Sequence, residues 1–260
     1  ISPHLTELAA AGDLVGPRAN YTARTRPTEE LYDTQEDPHQ LENLADRDEY
    51  EDVQHRLRRQ LTRWTRRTRD LGYLPEWDMR RRSGDLTPYE VRRDPQLYPL
   101  QRIRQAASWV GKDEEFIVEQ MEMLEEEDSA IRFWGAVGLH AQEELSQPAI
   151  RALRKALGDP AAPVRIEAAG ALADKSSPDE ALRTLADELD SESPHARIRA
   201  ARTLEMLGRR ARPVREQMEA ALEKAEQQSD DPAMFVGFAL STALENMDER
   251  IPESHYFSGG

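Results

Sequence analysis

The sequence predicts a mainly α-helical protein, an α-solenoid of stacked helix pairs that follows a small α+β segment. Charged residues make up 33% of the chain and aromatic residues only 6%, a balance that favours helices over sheets. Apolar residues recur at steps of three and four over much of the chain, as on the buried face of a helix. From residue 102 onward a helical motif also repeats, which is the signature of a repeat array.

Changes of pattern divide the chain into four parts. Residues 1–78 form the first segment, 79–97 a linker, 98–250 the repeat array and 251–260 a flexible tail. The linker is polar and is punctuated by Pro88 and Pro95, which interrupt helical periodicity. The sequence begins at Ile1 rather than Met, so we expect an upstream part to be missing.

Composition excludes several classes of function. Fifty acidic residues against thirty-five basic ones give a net charge of -15. Such a surface repels nucleic acids and anionic membranes at long range, so neither is expected as a partner. The absence of cysteine excludes disulfides and thiolate metal sites in this stretch. No apolar run approaches the length of a membrane span.

The first segment is predicted to combine short local elements. A short helix at residues 4–11 is expected to end at Gly12, which tolerates a left-handed backbone. Residues 29–33 predict a short strand that enters a turn. Asp33 and Asp37 lie in turn sequences, where aspartate accepts hydrogen bonds from nearby backbone amides. We therefore assign them a structural role rather than a role as calcium ligands.

One long amphipathic helix follows these turns and is expected to stop at Gly72. Its apolar stripe comprises Tyr50, Val53, Leu57, Leu61, Trp64, Thr68 and Leu71. The other faces carry Arg56, Arg58, Arg59, Arg63, Arg66, Arg67 and Arg69. The residues favour a solvated face whose arginines find carboxylates elsewhere, with a surface for phosphate or sulfate as the alternative.

The repeat array is marked by arginines at Arg102, Arg132, Arg165 and Arg197, which are 30, 33 and 32 residues apart. Four residues after each arginine lies an alanine, and seven after it lies a large apolar residue. These positions share one helical face, and the alanine lets a neighbouring helix approach closely. A second apolar helix follows each motif. A fifth unit, aligned through Phe238, Ser241 and Leu244, is degenerate, as expected of a capping repeat.

The repeated arginine is predicted to bond carbonyls or acidic side chains between adjacent repeats. Candidate partners are Asp128, Asp159 and Asp190, and ligand binding by the arginines is the alternative. Trp109, Phe133 and Trp134 are expected in the core, with an exposed docking patch as the other interpretation.

No catalytic constellation is recognisable, and we predict no catalytic, cofactor-binding or metal-binding residue in this chain. Phosphate-binding loops, dinucleotide fingerprints and metalloprotease motifs are all absent from the sequence. No two of the six histidines have the helical spacing of metal ligands. Asn20-Tyr21-Thr22 matches a glycosylation sequon, a short and weak signal.

The first segment resembles the C-terminal signature of bacterial, arylsulfatase-like sulfatases. The resemblance rests on residues 30–33 (ELYD), 37–39 (DPH) and 43–45 (NLA), followed by the helix with Leu57, Leu61 and Trp64. Gln40 and Glu42 depart from the family pattern. The resemblance implies a sulfuric-ester hydrolase whose formylglycine and calcium site lie upstream, and a periplasmic or secreted location.

The array resembles HEAT repeats, on residues 159–172 with Asp159-Pro160, Val164-Arg165 and Ala168-Ala169. This resemblance implies docking of a protein partner or of the protein's own catalytic domain. The chain is then the C-terminal part of a sulfatase-like hydrolase with a HEAT module. The alternative is a stand-alone HEAT interaction scaffold without enzymatic activity. A chromophore chaperone like the phycobilin lyases ranks last.

Overall fold

The protein is mainly helical. A computed structural model describes residues 5, 8–9, 11–23, 27–112, 114–176, 178–228 and 230–248. These residues contain no β-strand, and the chain divides into two compact units between Thr68 and Arg69. The predicted tail at 251–260 and most of the predicted helix at 4–11 lie outside the described residues. Gly12 has the expected positive φ, at 75°.

The first unit is built around one long helix. Two short 3₁₀ helices, Gly16–Tyr21 and Asp48–Tyr50, precede helix α1 (Glu51–Thr68). Acidic Glu51 and Asp52 lie in the first turn of α1, and Arg66 and Arg67 lie in its last turn, a distribution that complements the helix dipole. Helix α1 ends earlier than predicted, because Arg69 has a left-handed φ of 51°.

The strand predicted at residues 29–33 is absent, so the described residues do not support the α+β character of the first segment. The Leu31 carbonyl accepts from the Leu44 amide at 2.8 Å, and the Leu31 amide donates to Asn43 Oδ1 at 2.9 Å. The amide and the carbonyl of Leu31 are thus both hydrogen-bonded without a partner strand.

The second unit begins with a 3₁₀ turn at Leu71–Tyr73 and contains a series of α-helices. They are α2 (Glu76–Ser83), α3 (Pro88–Val91), α4 (Leu100–Ala107), α5 (Ile117–Met123), α6 (Ser129–Ala141), α7 (Gln147–Ala156), α8 (Ala162–Lys175), α9 (Pro178–Glu188), α10 (Pro194–Leu207), α11 (Arg215–Glu226) and α12 (Asp231–Asp248). Further 3₁₀ helices lie at Glu114–Phe116 and Gly208–Val214.

Helices α4, α6, α8, α10 and α12 form a continuous row in which each packs against the next. The alanines predicted for this contact are buried, Ala106 at 2% exposure and Ala136, Ala169 and Ala201 at 0%. Helices α5, α7, α9 and α11 pack against the row. This arrangement is consistent with an α-solenoid, in which each pair of helices is shielded by its neighbours.

The last helix departs from its predicted alignment. Phe238, placed at a buried position by the sequence pattern, is 62% exposed, whereas Leu240 and Ala243 are fully buried. The apolar side chains of α12 are more numerous than one face can hold, so periodicity alone did not fix which of them point inward.

Glycines set the approach of α5 to α6. A Cβ added at Gly135 would lie 2.8 Å from the Gln120 carbonyl oxygen and 2.9 Å from Met123 Cβ. A Cβ at Gly138 would meet the Gln120 side chain at 2.7 Å. Gln120 is fully buried and hydrogen-bonds the Trp109 carbonyl and Gln142. The glycines therefore make room for a satisfied buried amide.

Residues predicted as a linker, 79–97, belong to the second unit and carry parts of α2 and all of α3. Val91 is fully buried, and so is Tyr98 just beyond the predicted linker. The Tyr98 hydroxyl donates to the Asp70 carbonyl, and burial raises the pKa of this phenol.

The predicted core aromatics differ in burial. Phe133 is 6% exposed, while Trp109 and Trp134 are partly buried against neighbouring clusters. Trp134 donates from Nε1 to the Tyr73 carbonyl at 2.8 Å. No helix in the described ranges is long and apolar enough to cross a membrane.

Replacing Gly135 with alanine is expected to destabilise the protein by about 1–3 kcal/mol, because the new methyl group collides with backbone of α5. Urea unfolding followed by circular dichroism measures the change. The matched control is Gly237→Ala in α12, where the nearest atom lies 4.0 Å from the new Cβ. That variant is expected to gain about 0.5–1 kcal/mol from higher helix propensity. Equal effects at the two sites would contradict the close-approach explanation.

Candidate functional site

The candidate functional features of this chain are surfaces rather than a catalytic centre. Within the described part of the chain, no group of three or more His, Asp or Glu side chains is placed to hold a metal ion. The expectation that this chain carries no catalytic or metal-binding residue stays a prediction. The structure instead draws attention to the turns of the first unit, to helix α1 and to the charged side chains of the helix row.

Asn43 organises the turns of the first unit. Its Oδ1 accepts from the Leu31 amide at 2.9 Å and from the Ala45 amide at 3.1 Å. Its Nδ2 donates to the Glu29 carbonyl at 3.5 Å. One amide side chain thus holds together the two ends of residues 29–45.

The two aspartates between these runs make the local bonds that the sequence predicted. Asp33 Oδ1 accepts from the Gln35 amide at 3.0 Å. Asp37 Oδ2 accepts from the Leu41 and Glu42 amides at 2.7 and 2.9 Å. Each carboxylate closes a turn by satisfying backbone donors, the role for which turns select aspartate.

Helix α1 is attached to these turns by polar contacts. Gln54 Nε2 donates to the Ala45 carbonyl at 3.0 Å. Arg58 Nε donates to both Glu29 oxygens, at 2.8 and 2.7 Å. The hydrogen bond to Glu29 raises the pKa of Arg58. The expectation that helix arginines find carboxylates is therefore confirmed for Arg58.

The central part of the predicted apolar stripe is exposed, whereas Tyr50, Val53, Thr68 and Leu71 at its ends are partly buried. Leu57, Leu61 and Trp64 are 40%, 60% and 48% exposed. Large apolar side chains that line one face of a helix and remain in solvent mark a surface that binds another protein element. Neighbouring Thr65 is buried, so α1 does contact the protein, but through a face beside the stripe.

The arginine ladder predicted for the helix row is present. Arg132 binds Asp159 through Nε at 2.6 Å and Nη2 at 2.9 Å, and its Nη1 donates to the Glu126 carbonyl at 2.8 Å. Arg165 repeats this arrangement with Glu188 and the Asp159 carbonyl. Arg132 thus reaches an acidic side chain in the turn before the next helix of the row, whereas Arg165 binds Glu188 on α9, the second helix of its own pair.

The outer rungs of the ladder differ from the prediction. Arg102 binds Glu126 at 2.8 Å in an exposed pair, and Arg197 donates to the Ser191 carbonyl at 2.9 Å. Asp190, a predicted partner, binds Lys224 instead. Asp128, another predicted partner, is bound by Arg82 of α2.

A second charged cluster joins α2 to the start of α6. Arg82 binds Asp128 with both terminal nitrogens, at 2.6 and 3.1 Å, and donates to the Leu97 carbonyl at 2.9 Å. Asp78 is fully buried and accepts from the Ser129 hydroxyl. Burial raises the pKa of Asp78 despite the nearby guanidinium groups. This cluster fixes helix α2 to the start of helix α6.

Sequence reasoning missed a third network, which crosses three helices of the row. Glu167 on α8 lies 2.8 Å from His140 Nδ1 on α6 and 2.8 Å from Arg199 Nη2 on α10. The Arg199 guanidinium also lies 4.6 Å from the centre of the Phe133 ring, within reach of a cation–π contact. Glu167 and Arg199 occupy equivalent positions, two residues after Arg165 and Arg197. The sequence could have indicated this pair, because successive repeats carry opposite charges at the same position.

The Glu167 carboxylate is held ionised by this network. Burial opposes ionisation, but the hydrogen bond from His140 and the charge of Arg199 together lower its pKa to about 2. Gly170 allows this packing, since a Cβ there would lie 3.1 Å from Thr203 and 3.3 Å from the His140 ring. The network is a structural tie between three successive helices.

Comparison with known proteins connects part of the chain to sulfatases. The chain is 36% identical over 75 residues to the ulvan-active sulfatase of Formosa agariphila. This similarity covers 29% of this chain and 13% of that protein, so the chain matches only a small part of the relative. No known protein family matches the sequence, and no solved structure matches it either.

Because of the Glu167 network, the free energy of unfolding of the protein depends on pH in the acidic range. Because the folded-state pKa is lowered to about 2 from 4.5, its contribution is complete above about pH 5 and is lost as the pH falls towards 2. We expect Glu167→Gln to lower the free energy of unfolding by about 3 kcal/mol near neutral pH, and by progressively less below pH 4.5. Urea unfolding at a series of pH values measures this.

The control for this experiment is Asp190→Asn, which removes an exposed pair with Lys224 whose side chains are 65% and 61% exposed. Its effect is expected to stay below about 1 kcal/mol at every pH. A Glu167→Gln effect that does not change with pH would contradict the lowered pKa.

Proposed function

We propose that this chain is the C-terminal part of a sulfatase-like sulfuric-ester hydrolase, joined to a HEAT-type helical array that docks a protein or substrate. The observation that carries the proposal is the 36% identity over 75 residues to a sulfatase. Its length is close to that of the predicted first segment, and the folded turns around Asn43 use the residues of the sulfatase-like signature.

Catalysis is assigned to residues outside this chain. The match covers 13% of the relative, which leaves most of a sulfatase without a counterpart here. We place the formylglycine and the calcium site of the proposed enzyme in an upstream part. The sequence contains no cysteine and no S-x-P-x-R motif from which a formylglycine is made. A periplasmic or secreted location follows from the same proposal.

The exposed stripe of α1 supports the existence of a missing protein partner. Leu57, Leu61 and Trp64 form an apolar surface that is exposed in the described part of the chain, although the same helix is attached to the turns of the first unit through Arg58 and Gln54. We propose that the catalytic part of the same protein covers this stripe. Burial of three such side chains contributes several kcal/mol, about 1.5–3 kcal/mol for each one fully buried.

The helical array supports the docking role through its construction. Its core lies between stacked helices, and its ladder and Glu167 network tie successive helices together. A row fixed in this way presents a long, rigid surface, which is how solenoids bind partners. The array supplies position rather than ester cleavage.

The isolated chain is expected to show no turnover of an aryl sulfate in the presence of calcium, because the catalytic residues lie elsewhere. A longer product of the same gene that contains a C/S-x-P-x-R motif is expected to hydrolyse the ester. Release of the phenol followed against a boiled control measures both. Turnover by the isolated chain would refute the assignment, and so would an upstream sequence without the motif.

A double substitution, Leu61→Gln with Trp64→Gln, tests the role of the stripe. In the isolated chain it is expected to change the free energy of unfolding by less than about 0.5 kcal/mol for each residue, since both side chains are exposed. In the longer protein it is expected to destabilise the contact with the catalytic part by about 2 kcal/mol or more.

Thermal and urea unfolding of both proteins, with and without the substitutions, give the comparison. The matched control is Leu41→Gln, which removes an apolar side chain that is 50% exposed but lies outside α1. An equal response in the short and long proteins would rule out the stripe as the docking surface.

A further inference from the structure

Helix α1 carries a row of positive charge on the side away from its apolar stripe. Arg56, Arg59, Arg63 and Arg67, named here the arginine stripe, follow one another at steps of three, four and four residues. All four are exposed. At 1.5 Å of rise per residue the row extends about 16 Å along the helix. It stays accessible when the apolar stripe is covered, because the two lie on different faces.

The stripe arginines differ from three arginines of the protein that are bound to carboxylates. Arg58, Arg132 and Arg165 each bind a carboxylate. For the four stripe arginines the structure shows no ion pair with any residue in the described ranges. Adjacent like charges at this spacing destabilise a helix. A chain with fifty acidic residues has many carboxylates available, so leaving these four unpaired points to an anion from outside.

The shape of the stripe indicates what kind of anion fits. The guanidinium group forms paired hydrogen bonds with sulfate and phosphate groups. The four groups lie along a line on the exposed surface of the helix. A single small anion would touch one or two of them, whereas a linear polymer with repeated anionic groups can touch all four. The geometry therefore favours a polyanion over a small ligand.

We propose that the arginine stripe binds a linear sulfated polysaccharide and holds it near the proposed catalytic part. The choice of sulfate rests on the proposed function, since a sulfatase acts on sulfate esters and the similar protein is an ulvan-active sulfatase. The net charge of -15 opposes binding elsewhere on the chain. Charges more than about 8 Å from the row are screened at physiological salt. Asp52, four residues before Arg56 on the same helix, lies closer, but the four arginines outnumber it.

The test is a binding titration of the purified 260-residue chain with fluorescent dextran sulfate, using uncharged dextran as the reference. We expect binding to dextran sulfate only, weakening as salt rises. A variant with Gln at all four stripe positions is expected to lose affinity by about tenfold or more. A tenfold loss corresponds to about 1.4 kcal/mol shared among four exposed contacts, which lies within the range measured for exposed charge pairs.

The matched control removes the same amount of charge from exposed arginines elsewhere. These are Arg80, Arg151, Arg183 and Arg202, all replaced by Gln. We expect the affinity of this control to stay within about twofold of the natural chain, allowing for the small effect of an exposed charge. A stripe variant with Lys at all four positions keeps the charge and is expected to keep most of the affinity. Circular dichroism verifies that each variant is folded.

Three results would overturn the proposal. They are equal binding of dextran sulfate by the stripe variant and the natural chain, no preference for dextran sulfate over dextran, and tighter binding of duplex DNA or anionic vesicles than of dextran sulfate. The titration involves no turnover, so it fails or succeeds separately from the sulfatase assay. Binding without esterase activity in the longer protein would retain the stripe and reject the proposed enzyme.

Discussion

The array depends on close packing between neighbouring helices of the row α4, α6, α8, α10 and α12. Ala136, Ala169 and Ala201 have no exposed surface, and each lies where one helix of the row meets its neighbours. A larger side chain at these points would separate the helices and break the contacts on either side. The same closeness brings Arg132 to Asp159 and Glu167 to both His140 and Arg199. The small alanines between the helices thus allow the ion pairs of Arg132 and Glu167 to form.

Charge is used differently in the two units. In the second unit the principal arginines of the helix row bind carboxylates or carbonyls and connect parts far apart in sequence. In the first unit Arg58 binds the carboxylate of Glu29, while the arginine stripe and Leu57, Leu61 and Trp64 lie exposed on α1. A helix held in place by one face and exposed on two others is suited to meet further partners.

Local sequence predicted those features that depend on near neighbours or on a strict repeat. The turn bonds of Asp33 and Asp37 were predicted because aspartate reaches amides only a few residues away. The buried alanines were predicted because the repeat places them on one helix face. The strand at 29–33 was wrong, since a strand needs a partner that local sequence does not specify. In α12 the inward position predicted for Phe238 was wrong, because Phe238 and Leu240 are both apolar and only packing separates them. Leu244, in the same alignment, is buried as predicted.

The sequence by itself determined the helical class, the period of the repeat, the positions of its seam and the turns of the first unit. Each of these follows from propensity or spacing within about one repeat. Only the tertiary structure decided which charges pair, that residues 79–97 belong to the second unit, and that the apolar stripe of α1 is exposed. Those outcomes depend on distances between segments remote in sequence, and an amphipathic pattern is the same whether or not its apolar face is covered.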